Sequence, residues 1–214
     1  MCVVPLAVDI SVVEKQEDFD SKGHKILVTN LESEQLRSDT SSNVSYDLRV
    51  GHEYRRYRDR NKTELGETDS IIIRPGDTVM IQTEEAVHMP SHLFAYIVPK
   101  VTLLNMGLTN TLAKVDPGYP GSLVVTIFNL GKTTQKLSRR APFCQMVVHT
   151  VLEGATLYHK GSKQVAGAPR RPGWWLRADA WVDRHKTLLT LLSGGLGGAL
   201  VNLLVQWLGR MHGH

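Results

Sequence analysis

The chain has 214 residues, enough for one ordinary domain and an appendage. Its 42% hydrophobic and 21% charged content excludes a disordered polymer. The net charge of +4 is carried by the tail: six of the 25 basic residues fall in 169–214 against two of the 21 acidic ones, leaving a neutral head and arguing against a nucleic-acid binder, which would carry its basic surface on the folded part. Residues 1–13 are apolar and read as an opening helix or strand, with no basic n-region of a signal peptide. A polar stretch over 14–42 is interrupted by a strand at Lys25–Thr29. Ser45–Val50 alternates Tyr46, Leu48 and Val50 with Asp47 and Arg49, the period of a half-buried strand. His52–Lys62, dense in Arg and Tyr, reads as a solvated hairpin, with a phosphate-binding surface as the alternative. Ser70–Arg74 is a strand, Pro75-Gly76-Asp77 a turn and Thr78–Thr83 the next strand, followed by a loop carrying Glu84 and Glu85. Leu93–Val98 is a buried strand stopped by Pro99.

Ala113–Gly131 reads as a short strand, a turn, a longer strand and another turn. Pro117-Gly118 and Pro120-Gly121 are turn dipeptides that hold Tyr119 in a tight bend, with the Asp116 carboxylate at its mouth. A carboxylate and a ring on a rigid hairpin suit a sugar or nucleoside; an ordinary β-turn, with Asp116 capping it, is the alternative. Gln135–Pro142 reads as a basic loop and Phe143–Leu152 as the last long strand. Many short strands separated by Gly/Pro turns predict an all-β barrel or sandwich. Cys2 and Cys144 form no metal or redox spacing and read as reduced thiols of a cytosolic compartment. Glu84, Glu85, His88 and His92 lack metal-ligand spacing, so no metal site is expected there.

Six segments in order resemble the dCTP deaminase/dUTPase superfamily over residues 1–165. They are Ser45-Tyr-Asp-Leu-Arg-Val-Gly51, Ile73-Arg-Pro-Gly-Asp77, Thr83-Glu-Glu-Ala-Val-His-Met-Pro90, Lys100-Val-Thr-Leu-Leu-Asn-Met-Gly-Leu108, Asp116-Pro-Gly-Tyr119 and Cys144-Gln-Met-Val147. The deaminase branch is the nearer, through Tyr46-Asp-Leu-Arg-Val-Gly51 and the aspartate turn. The resemblance implies a distorted jelly-roll barrel, homotrimers and active sites at subunit interfaces. It also implies a pyrimidine deoxynucleotide ligand, with Mg²⁺ arriving on the triphosphate.

The resemblance equally shows what is replaced. Thr126 stands where the deaminases carry the glutamate that activates water, and a hydroxyl cannot serve as that base. Their Arg-Ser-Ser-Leu-Ala-Arg segment reads here Lys100-Val101-Thr102-Leu103-Leu104-Asn105. Asp116, Gly118 and Tyr119 match the nucleoside-holding hairpin of the dUTPases, whose aspartate positions the attacking water. Lys100, Thr102 and Gln145 fall at phosphate-ligand places, and Asp47 where a metal-linked aspartate stands; a structural role for Asp47 is the stronger reading of the residue itself. For Gln145 the alternative is a partner for buried backbone. The Ser-Gly of the phosphate loop and the closing glycine-rich tail have no counterpart.

Residues 166–186 read as a basic, Trp-rich linker, and Thr187–Gly209 is a run of 23 residues without a charge. As a helix that run spans roughly 34 Å, enough for a ~30 Å hydrocarbon core. Thr190, Gly194, Gly198, Asn202 and Gln206 form one small or polar stripe suited to helix association. The expectation is a single-pass membrane anchor with the head in the cytoplasm. The function expected is a deaminase-inactive nucleotide sensor or effector at a membrane. The alternatives are an active deoxynucleotide enzyme, either deaminase or triphosphatase, and a structural trimer that clusters its helices.

Overall fold

The computed structural model describes residues 2–37, 43–151 and 155–160. The span read over 187–209 and the linker over 166–186 lie outside these residues. Among the described residues no helix is long and apolar enough to cross a membrane. What they form is a succession of strands: β1 (Val12–Val13), β2 (Ile26–Thr29), β3 (Tyr46–Arg56), β4 (Thr63–Glu64), β5 (Ser70–Ile73), β6 (Thr78–His88) and β7 (Leu93–Pro99). A short helix α1 (Val101–Asn105) then precedes β8 (Leu108–Asn110), β9 (Ala113–Val115), β10 (Pro120–Asn129), β11 (Gln135–Ser138) and β12 (Pro142–Thr150). The mostly-β expectation holds.

The main sheet runs β1-β2-β6-β3-β12-β7-β9, with β4 on β3 and with β10 pairing both β6 and β8. Its pairs are antiparallel except β1 with β2. Period-2 alternation drives the assembly. Along β6, Val79, Ile81, Thr83, Glu85 and Val87 are buried while the residues between them are half-exposed. Leu123, Val125 and Ile127 of β10 face the same interior, which Tyr46, Leu48, Ile97 and Phe143 fill from the strands opposite.

Three expectations are corrected. The stretch after Thr83 is not a loop: β6 continues to His88, so Glu84 and Glu85 are strand residues. Residues 135–142 are not all loop, because β11 pairs with β5 through Leu137↔Ile71 and Gln135↔Ile73. A single buried side chain, Leu137, gives that strand too little alternation to read. The opening segment is neither a helix nor one strand; it makes a bridge at Val3↔His149, a turn, and then the two residues of β1.

β3 is shared between partners, its first half with β12 and its second with β6, and the β6 ladder slips between Val50 and Tyr54. Gly51 sits at that slip. A Cβ there would meet backbone of β6, 2.8 Å from the Thr83 carbonyl carbon and oxygen. Backbone cannot swing aside as a side chain does. Gly51→Ala is therefore expected to cost about 2–3 kcal/mol, the upper range of overpacking, read as a lower urea midpoint with an unchanged slope.

Candidate functional site

The β9–β10 turn forms as its Pro-Gly pairs require. Gly118 and Gly121 both take positive φ, 77° and 113°, a region glycine enters without strain. The Tyr119 N–H donates to the Asp116 carbonyl at 3.1 Å, closing the turn. Reciprocal bonds of 2.9 Å, Gly118 N–H to Met89 O and Met89 N–H to Tyr119 O, fasten it to the residues after β6. The Asp116 carboxylate pairs with Lys114 at 2.6 Å instead of capping the turn, and this partner raises the Lys114 pKa. Tyr119 is not open to solvent. Its hydroxyl donates to Ser122 O at 2.7 Å, and its ring lies 5.2 Å from that of Tyr158. The Tyr158 N–H is bonded to Pro117 O at 2.7 Å, so residues 157–158 lie over the turn. In the chain, 39 residues lie between Gly118 of the turn and Tyr158, which meets it only in space.

The other expected site residues gather elsewhere. Gln145 stands directly between Asp47 of β3 and Val98 of β7. Lys100, two residues beyond Val98, pairs through its ammonium with the Asp47 carboxylate. Gln35 brackets the Asp47 backbone, accepting from its N–H at 2.7 Å and donating to its carbonyl at 3.2 Å. Asp47 is thus tied to Lys100 by charge and to Gln35 through its backbone. Thr102 is exposed in α1. The pairings therefore bring Gln145 and Lys100 to the same side of Asp47, with Thr102 two residues on from Lys100, but not with Asp116 and Tyr119. β9 pairs with β7 so that Val115 faces Ala95, which leaves Asp116 level with the start of β7 and Lys100 just past its end. At ~3.3 Å per residue that is roughly 20 Å.

Beside this group lies a charge network not visible in the sequence. Glu85 is wholly buried. It accepts from Arg49 Nε at 2.7 Å, from the Arg49 backbone N–H at 3.0 Å and from the Tyr46 hydroxyl at 3.1 Å. Arg49 also reaches Glu32 at 3.0 Å, and the Glu32 N–H donates to the Tyr46 hydroxyl at 2.8 Å. Burial pushes the Glu85 carboxyl up, against the pull of the Arg49 donors. Burial, with the Glu85 charge, likewise raises the Tyr46 phenol. Burial also raises the Cys144 thiol well above its ordinary value, which leaves it protonated and inert. Among the described residues no group of three or more His, Cys, Asp or Glu could hold a metal ion.

Thr126 is half-buried on β10, opposite Met80 of β6. Its hydroxyl makes no hydrogen bond among the described residues.

The fold is a mostly antiparallel arrangement of strands that carries an Asp-Pro-Gly-Tyr hairpin. Residues 14–151 match the dCTP deaminase-like family, and the chain belongs to it. A dUMP-forming dCTP deaminase of Methanothermobacter thermautotrophicus is 28% identical over 129 residues, covering 52% of this chain and 66% of the relative. A dCTP deaminase of Thermococcus gammatolerans is 29% identical over 132 residues, covering 60% and 83%. The crystal structure of 2′-deoxycytidine 5′-triphosphate deaminase from Agrobacterium tumefaciens matches with a TM-score of 0.47 at 16% identity, over 56% of this chain and 42% of that one.

Proposed function

We infer that this family member binds a pyrimidine deoxynucleotide between copies of itself in a homotrimer and does not deaminate it. The observation that supports a shared site is the separation along β7. Lys100, Thr102 and Gln145 lie at one end and the Asp116–Tyr119 turn at the other, so a ligand held by both takes each from a different copy. Phosphate would meet the Lys100 ammonium, and the nucleoside the turn, once residues 157–158 move off Tyr119. Mg²⁺ is read as arriving on the triphosphate, since magnesium is commonly held by one or two carboxylates plus phosphates and the nearest carboxylate, Asp47, already pairs with Lys100. The uncharged run 187–209 supports a membrane anchor, and the excess of basic residues before it over the single Arg210 after it supports a head in the cytoplasm, and hence a sensor or effector role. A second reading, a triphosphatase in which Asp116 positions water, is favoured by one observation: the Asp116 and Lys114 side chains are 35% and 57% exposed, so solvent reaches their pair.

The test is calorimetric titration of the full chain in detergent with dCTP and dUTP, with and without Mg²⁺, alongside assays for ammonia and diphosphate. Binding without ammonia release is expected; diphosphate release would favour the second reading. Asp116→Ala and Lys100→Ala are each expected to lose binding. Mixed and reassembled in equal amounts, they should recover about one site in four, as random assembly of a cyclic oligomer gives. A mixture that still fails to bind while both variants remain trimeric would exclude the shared site.

A further inference from the structure

Arg55 is 4% exposed, yet it has no acidic partner among the described residues. The other deeply placed arginines are neutralised: Arg49 by Glu85 at 2.7 Å and Glu32 at 3.0 Å, and Arg139 by Glu84. Even the neighbouring Arg56, less buried, pairs with Asp77 at 3.0 Å. Arg55 makes one bond to a backbone oxygen, Nη1 to Asp59 O at 3.0 Å, and one weak contact, Nη2 to the Met80 sulfur at 3.2 Å. Its Nε is buried with no acceptor. A guanidinium does not shed its proton in a protein, and a buried charge without a counter-charge is strongly unfavourable. Water can accept the hydrogen bond but cannot neutralise the charge.

The surroundings say what would. In register, Arg55 faces Met80 of β6, and Met80 faces Thr126 of β10. The next row pairs Gln82 with Val124. Directly opposed residues of antiparallel strands share a face of the sheet, so Arg55, Thr126 and Gln82 present their donors on one side. Neither the Thr126 hydroxyl nor the Gln82 carboxamide has a hydrogen-bond partner among the described residues. Two strand spacings separate β3 from β10, roughly 10 Å between backbones. In the Arg55–Thr126 row Met80 stands between them, a flexible side chain that re-packs easily, and the Glu53 carboxylate two residues before Arg55 is already held by Lys62.

We propose that this row is an oxyanion site, in which Arg55, Thr126 and Gln82 hold a phosphate group with Met80 displaced. It lies on the same strand as Asp47 but beyond the slip at Gly51; it takes in Thr126, where the resemblance places the deaminase base, and uses neither Lys100 nor Asp116. The phosphate can be free or the terminal group of a nucleotide; both present the same tetrahedral oxygens.

The experiment follows the thermal midpoint of the full chain in detergent at constant ionic strength, exchanging chloride for inorganic phosphate and, separately, for dUMP. Wild type should rise by at least about 2–4 °C in one or both, the shift that one kcal/mol gives at this chain length. A rise with dUMP but not with inorganic phosphate, lost in Arg55→Met, assigns the group to a nucleotide, and the reverse to the free ion; a dUMP response that Arg55→Met keeps belongs to the Lys100–Asp116 site and overturns this one. Arg55→Met keeps the bulk and removes the charge; it should be at least as stable as wild type in chloride and insensitive to both additives. Thr126→Glu supplies a carboxylate from within the row; it should raise the chloride midpoint and abolish the response. No response in wild type, or equal responses in all three proteins, overturns the site. So does dissociation of Arg55→Met in sedimentation velocity together with a silent wild type, which would assign the counter-charge to a second copy.

Discussion

Replacing Glu85 with alanine is expected to lower the unfolding free energy by about 3–5 kcal/mol, the loss seen when one partner of a buried ion pair is removed. The magnitude follows from what remains. Arg49, whose side chain is 14% exposed, would keep only Glu32 as a carboxylate partner, and its backbone N–H and the Tyr46 hydroxyl would lose their acceptor. Water cannot readily replace the carboxylate, because the position is buried on the inner face of β6 between Thr83 and Val87. Glu85→Gln keeps the acceptor oxygen and loses the charge, so it should fall between alanine and wild type. Urea unfolding of the three proteins checks this. An alanine variant within 1 kcal/mol of wild type would mean that the network contributes little and that β6 is held by its apolar neighbours.

The second large effect concerns chemistry. Ammonia release from dCTP by the full chain is expected at least 10²–10⁴-fold below that of a family member with a carboxylate at this position, the usual contribution of a general acid–base group. Thr126 offers a hydroxyl, and no carboxylate stands opposite it in the sheet: Met80 does. Thr126→Glu is not expected to restore turnover. Val101 and Asn105 also stand where the resemblance places a serine and an arginine, and α1 exposes Val101 and Leu104 instead. Losing a guanidinium removes a planar fork of donors that neither asparagine nor lysine reproduces. Steady release of ammonia by wild type would refute this and make the chain a working deaminase with its base elsewhere.

The sequence by itself determined the features that depend on local chemistry. Alternation in Ser45–Val50 and the apolar runs 70–74 and 93–98 foretold β3, β5 and β7, since a strand declares itself by period 2 or by an unbroken apolar run. Pro-Gly pairs foretold the turn at 117–118, because they restrict φ whatever surrounds them. The family and the absence of a carboxylate at 126 were legible from ordered motifs alone. The tertiary structure decided everything that rests on distant partners. Glu85 belongs to a strand because Arg49 and Tyr46 satisfy it from β3, which no window around residue 85 reveals. Lys100 finds Asp47 and Arg55 is left without a counter-charge through strand pairings, and Tyr158 covers Tyr119 through a backbone bond to Pro117, all joining residues far apart in the chain. The same pairings put Lys100 and Asp116 at opposite ends of β7. Local sequence records a side chain's propensity and charge; which charges meet is set by register, and register is a property of the folded sheet.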